Sequence, residues 1–225
     1  NNLSEIIKEQ NFTPVHAILM DLGWSMPQFL DRGRGFSFNQ DEPLDMRYSA
    51  ALEPGKPTAA DIVNSQSERQ LEYIFHALGE ENLSREIATR LVEERKNKTI
   101  ATTTDLAEIV LKVYRYKLQT DKEIPWIGGL HPATKVFQAL RIAVNDELGV
   151  LEQALPQAIS ALLPGGRLAV ITFHSLEDRI VKHYFKSKDG KILNIINRKP
   201  ITCGLAEYNE NPPSRSAKLR VVEKI

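Results

Sequence analysis

Two polar segments stand where reactive groups are easiest to place, each directly after an apolar run. Asp21-Leu-Gly-Trp-Ser-Met-Pro-Gln28 follows His16-Ala-Ile-Leu-Met20, and His174-Ser-Leu-Glu-Asp-Arg179 follows Leu168-Ala-Val-Ile-Thr-Phe173. A carboxylate at the tip of an apolar strand, with Gly23 permitting close backbone approach and Pro27 stiffening the turn, suits a site that accepts hydrogen bonds from an exocyclic amine. Trp24, Phe36 and Phe38 offer faces on which a flat ring could stack. The plainer reading makes Asp21 a turn cap and Trp24 a core residue. Asp21, Ser25 and His174 are the candidates for catalysis, His174 as general base or as a hydrogen-bonding wall. Ser175 and Asp178 have the spacing of a capping box, with Ser175 as N-cap. No Cys/His cluster has metal-ligand spacing, and neither a Walker lysine motif nor a serine-nucleophile elbow is present.

These groups need elements to hold them. Leu168–Phe173 reads as a buried strand of a parallel sheet, entered through a tight turn at Pro164-Gly-Gly-Arg167, and open α/β sheets bind ligands at the carboxyl ends of such strands. The segment from Pro132 to Leu163 reads as helix with a kink, and another helix runs from Arg179 past His183. Ser216–Val222 alternates polar and apolar and is expected to pair antiparallel with Ile192–Ile196. Between Thr58 and Leu118 the period changes to that of helices. Leu71, Ile74, Phe75 and Leu78 form one stripe, Leu83, Ile87 and Leu91 a second, and Leu106, Ile109, Val110 and Val113 a third. Asp105 and Glu108 are read as the cap of the third helix. The expected architecture is α/β, a doubly wound, mostly parallel sheet with an inserted all-helical domain. Residues 1–53 and 131–225 form its core and 54–130 the insertion.

The 225 residues balance 29 Lys+Arg against 29 Asp+Glu, so net charge argues neither for nor against nucleic acid. Charge is uneven locally: seven cations stand between Arg179 and Lys199 against Asp189 alone, a strip suited to phosphates or simply a solvated face. A lone cysteine, Cys203, excludes an internal disulfide and fits a reducing compartment. No apolar stretch approaches membrane-spanning length, so a soluble intracellular protein is expected.

Taken together, Asp21–Gln28, Arg34-Gly-Phe-Ser-Phe38, Pro43-Leu-Asp-Met-Arg47, His131-Pro-Ala-Thr-Lys135, Phe137-Gln-Ala-Leu-Arg141, Pro164–Leu168, Phe173–Arg179 and Arg215-Ser-Ala-Lys-Leu-Arg220 closely resemble the RsmH/MraW family. These are S-adenosylmethionine-dependent small-subunit rRNA cytosine-N4 methyltransferases, and the resemblance spans nearly the whole chain in order. It implies a class I methyltransferase core, a helical domain that recognises substrate, and a cytidine of the ribosomal decoding centre as target. Asp21 and Gln28 match the family's cofactor-binding acid and glutamine, while Met26 and Phe29 depart from its usual serine and leucine. Arg34, Asp45, Arg47, Arg179, Lys182 and Lys186 are the expected RNA contacts, and no metal is implied. Because the chain opens at Asn1, the glycine-rich cofactor loop and the first half of the sheet are expected upstream of it, so these residues alone should bind the cofactor poorly. The small ribosomal subunit is the implied partner, with no membrane and a homo-oligomer left open. The implied location is the cytoplasm, or a mitochondrion or plastid in a eukaryote. The rival reading is a truncated or inactive rRNA-binding member of the same fold.

Overall fold

The computed structural model describes residues 2–12, 15–23, 33–48, 55–120 and 130–225. The chain is α/β and divides into two compact units, residues 1–24 with 147–225, and residues 25–146.

The first unit is built on a mixed sheet. Strand β1 (Val15–Asp21) pairs parallel with β2 (Leu162–Thr172). Strand β5 (Lys218–Lys224) runs antiparallel to β2 and also to β3 (Leu193–Ile195) and β4 (Ile201–Thr202). The described sheet is therefore not mostly parallel, because β5 carries most of the pairing. Alternation over Ser216–Val222 did indicate this strand, displaced by two residues, and its antiparallel partner Leu193–Ile195 lies within the expected Ile192–Ile196. Its second partner, β2, is not written in its own sequence. The turn at Pro164-Gly-Gly-Arg167 does not precede the strand but lies within it. The register passes from Val15↔Leu162 to Ala17↔Arg167, so the turn is a bulge inside β2, with Gly165 at φ 77°. Gly166 sits so close to its neighbours that an added Cβ would stand 2.9 Å from the Leu163 carbonyl oxygen and 3.0 Å from that of His16.

Helices α1 (Leu3–Glu9), α7 (Glu147–Ala161) and α8 (Ser175–Lys188) belong to this unit. Leu151, Leu155 and Ile159 on α7 and Val181 and Phe185 on α8 pack with Leu168 and Val170 of β2 and Val222 of β5. Both α7 and α8 thus bury one stripe against one core.

The second unit is helical among its described residues. It holds α2 (Ala59–Ser65), α3 (Glu68–Tyr73, continued by a π-helical turn over Ile74–Leu78), α4 (Ser84–Glu94), α5 (Thr103–Leu118) and α6 (Thr134–Asn145). The three stripes read from the sequence enter its core, with Leu71, Phe75, Ile87, Leu91, Leu106 and Val110 fully buried. The unit extends beyond 54–130, because α6 and the loop at 33–48 bury Ala139, Leu140, Leu44 and Met46 in that same core. Helix α5 is capped by Thr102, whose hydroxyl accepts from Asp105 N–H while the Asp105 carboxylate accepts from Thr102 N–H. Glu108, read as the second cap residue, lies inside the helix. The expected kink between α6 and α7 is a break, with Asp146 at φ 49°.

Two further short helices, α9 (Leu205–Glu210) and a 3₁₀ turn at Pro212–Ser216, lead into β5.

Candidate active site

The two parallel strands β1 and β2 end level with one another. Asp21 pairs with Ile171, and Leu22 N–H donates to the Ile171 carbonyl at 3.0 Å. Asp21 is exposed at this edge, as the apolar run before it suggested. Beyond it Gly23 adopts φ 131°, a conformation that favours glycine. A Cβ built there would stand 3.2 Å from Cδ2 of Phe173, so the ring lies against the bare Cα. Ser25 and Gln28, with Trp24, Met26 and Phe29, fall outside the described residues.

His174 reaches the same sheet edge, where it has a task that its sequence context does not announce. It is the N-cap of α8, and the capping box is His174–Glu177, one residue earlier than Ser175–Asp178. Its Nδ1 accepts from Glu177 N–H at 3.4 Å. The Glu177 carboxylate in turn accepts from Phe173 N–H at 2.8 Å and His174 N–H at 3.3 Å. Residue type favours Ser over His at an N-cap, so propensity points to the wrong register here. Glu three residues after His174 is the available signal, but Asp three after Ser175 matches it equally.

Glu147, His174 and Glu177 each bring a potential ligand atom to within 4.8 Å of the others. Spacing alone would suit a metal ion. The cap bond narrows this: with Nδ1 accepting from Glu177 N–H, only Nε2 of the ring is left to act as a ligand. Nε2 is buried and stands 3.2 Å from Glu177 Oε1. Burial of Glu177 works against its charge, yet the adjacent His174 ring and the backbone N–H groups of Phe173 and His174 outweigh it and hold this carboxyl below its usual range. The arrangement places an ionised carboxylate at the N-terminus of α8, where the helix dipole also favours it.

The register shift releases Asp178 for another task. Its carboxylate takes both Arg220 Nε at 2.7 Å and Nη2 at 3.1 Å, joining α8 to β5, and Lys218 stands 3.8 Å away. Burial again opposes ionisation, and the Arg220 guanidinium overrides it, so this carboxyl also titrates lower than usual. Glu177, Glu147 and Arg220 were not singled out from the sequence. Their roles depend on partners distant in the chain or on a cap register.

Arg179, Lys182 and Lys186 lie on α8. Lys182 and Lys186 are exposed and, with Arg198, line a 260 Å³ cleft between that helix and the β3–β5 edge. The remaining expected RNA contacts belong to the helical unit. Asp45 binds Arg47 through two bonds, Nε at 2.7 Å and Nη2 at 2.8 Å, and that pairing outweighs burial to lower the Asp45 carboxyl pKa. Arg34 Nη1 donates to the Tyr48 carbonyl at 3.0 Å. The aromatic faces nearby are taken internally: Phe36 stacks on Tyr48, and Phe38 stacks on His131 and meets Phe137 edge-on. The loop they stand on is pinned to the start of α5, with Thr103 Oγ1 donating to the Gln40 carbonyl and accepting from Glu42 N–H.

The MraW methylase family model matches residues 1–225. The chain belongs to the MraW methylase family. The ribosomal RNA small subunit methyltransferase H of Coprothermobacter proteolyticus is 48% identical over 225 residues, covering 99% of this chain and 71% of that protein. Its namesake from Dictyoglomus thermophilum is 48% identical over 227 residues, covering 100% and 71%. That of Persephonella marina is 46% identical over 225 residues, covering 100% and 73%. In this MraW methylase, the polar ends of two adjacent parallel strands, one tipped by Asp21 and the other by the His174–Glu177 cap, make the candidate active site.

Proposed function

We propose that the protein transfers a methyl group from S-adenosylmethionine to the exocyclic N4 of a cytidine in the decoding centre of small-subunit ribosomal RNA. The family match over residues 1–225 carries this reading, and the names of the relatives supply the substrate class. The described edge fits the cofactor's methionyl end: Asp21 offers an exposed carboxylate to an ammonium group, and Gly23 keeps the adjoining backbone free of a side chain. Gln28 is proposed as the second cofactor contact.

Bound S-adenosylmethionine supplies a methyl carbon on a cationic sulfur. Held by Asp21 and Gln28, it would offer that carbon to in-line displacement by the cytosine amine, with the sulfur leaving as a thioether and the amine proton passing to water. No covalent protein intermediate is required, so the protein contributes mainly alignment. Asp21 is a hydrogen-bond acceptor at the strand tip, and it cannot serve cofactor and amine fully at once. Its cofactor role is the one carried by the family motif, leaving Ser25, or a backbone carbonyl beside Asp21, to orient the amine. The ring of His174 points its Nδ1 into the cap of α8, so a wall role suits it better than that of a base. The target base must leave its stack to reach such an edge. The helical unit is proposed to grip the RNA through Arg34, Asp45 and Arg47, and the α8 strip through Arg179, Lys182 and Lys186, wherever small subunits are assembled, which in a bacterium is the cytoplasm.

The test is methylation of small subunits lacking the modification, read as N4-methylcytidine by mass spectrometry. In the full-length protein, Asp21→Ala should remove most transfer while leaving the melting temperature unchanged, since an exposed strand-tip carboxylate contributes little to the core. Transfer at the parent rate would make Asp21 a turn residue and move the site elsewhere.

A further inference from the structure

A chain of contacts runs from a buried carboxylate to the strand tip that holds Asp21. Glu177 is almost fully buried, at 5% exposure, and spends its charge on the backbone of the strand end beside it. Oε2 accepts from Phe173 N–H at 2.8 Å and from His174 N–H at 3.3 Å. These bonds fix where β2 leaves the sheet, and so where the Phe173 side chain begins. The Phe173 ring then fills the space that a side chain at residue 23 would need, since a Cβ on Gly23 would lie 3.2 Å from Cδ2 and 3.4 Å from Cε2. Gly23 is two residues from Asp21, and the backbone between them is tied to β2 by Leu22 N–H on the Ile171 carbonyl.

We infer that Glu177 is a positioning residue: through the Phe173 backbone it sets the ring that props Gly23, and thereby aims the Asp21 carboxylate. The physical case is one of constraint. Glycine has the freest backbone of any residue, and φ 131° is not a position that Gly23 must hold by itself. A ring seated against its Cα removes that freedom, and the ring is only as fixed as residue 173. A carboxylate accepting two backbone N–H groups fixes that residue with charge-assisted bonds, about twice as strong as neutral ones. A purely structural cap would need only the bond between Glu177 and His174 N–H. The shorter bond, however, goes to Phe173, which lies outside the cap.

The inference rests on Asp21 being in the methyl-transfer site, and the experiment separates the two. Glu177→Gln keeps the shape and one acceptor oxygen but loses the charge. It should lower kcat about tenfold, leave KM for the small subunit within twofold, and speed hydrogen exchange at the Phe173 and Leu22 amides about tenfold. The exchange readout needs no activity. Phe173→Ala removes the prop directly, so adding Glu177→Gln to it should cost less than threefold more in kcat. Glu177→Asp, which retains the charge on a shorter stem, should recover part of the loss. Circular dichroism and melting temperature, measured on every variant, exclude unfolding as the cause. Independent, multiplicative losses from Glu177→Gln and Phe173→Ala would overturn the inference, as would unchanged exchange at Leu22. If Asp21→Ala transfers methyl groups normally while Glu177→Gln still loosens Leu22, the site assignment fails and the mechanical coupling stands. A full-length protein without transfer activity would overturn the proposed function, and with it the catalytic part of this inference.

Discussion

Replacing either partner of the Asp178–Arg220 pair should destabilise the first unit, and by unequal amounts. Arg220 is 7% exposed at its side chain and Asp178 14%, so both charges are largely out of water. Breaking a buried pair costs about 3–5 kcal/mol, because the survivor stays buried without its partner. Arg220→Ala leaves Asp178 with Lys218 at 3.8 Å, a partial substitute that places the loss near the lower end, about 3 kcal/mol. Asp178→Ala leaves the guanidinium with a weak 3.4 Å bond to the Arg198 carbonyl, which places the loss near the upper end, about 4 kcal/mol. Urea unfolding followed by circular dichroism measures both, and a slope of about 2 kcal/mol per molar turns the difference into a midpoint shift of about 0.5 M. The double variant should show coupling of about 2 kcal/mol. Acid provides a second check with a defined sign. The Asp178 carboxyl titrates below its usual value in the folded protein, so its contribution is fully present above the unfolded carboxylate pKa, about 3.9, and is lost as pH falls through the folded value. The penalty of Arg220→Ala should therefore be constant from pH 7 to about 5 and shrink below about 4. Losses under about 1 kcal/mol, or a greater loss from Arg220→Ala than from Asp178→Ala, would refute the reasoning.

Neutralising Lys182, Lys186 and Lys188 together should weaken RNA binding and flatten the slope of log affinity against log salt, with cofactor affinity unchanged. The change should be roughly 0.7 to 0.9 for each phosphate that no longer meets a cation. A slope equal to the parent's would reduce the strip to a solvated helix face. In the helical unit, a Cβ on Gly79 would stand 2.7 Å from the Lys135 carbonyl oxygen and 3.1 Å from the Ala139 Cβ, so Gly79→Ala must push α6 away from the π-helical turn. A cost of about 1–3 kcal/mol in thermal or urea unfolding is expected, and a neutral substitution would show that this packing gives way easily.

Much of the fold follows from local pattern, and the same pattern explains where it misleads. The stripes on α3, α4 and α5 were legible because a helix buries every third or fourth residue whatever it packs against, and Leu71, Phe75, Ile87, Leu91 and Val110 are indeed buried. Asp21 was legible because a carboxylate after four apolar residues has to emerge at the strand's end. The capping registers were not, since Thr102–Asp105 and His174–Glu177 compete with neighbours of the same spacing, and only the point where the chain leaves the previous element selects between them.

The sequence by itself determined the helices at 71–78, 83–91, 106–113, 134–161 and 179–185 and most of the strands, and that polar groups emerge after two apolar runs. Those properties depend on neighbours within a few residues, where propensity and periodicity act. The tertiary structure alone decided the mixed pairing of the sheet, the bulge at Pro164-Gly-Gly, the use of Phe36 and Phe38 as internal stacking partners, the seating of the Phe173 ring against Gly23, and the pairing of Asp178 with Arg220. Each of these joins residues far apart in the chain, and the free energy that selects such a pair exists only once the core has brought its members out of water and within bonding distance.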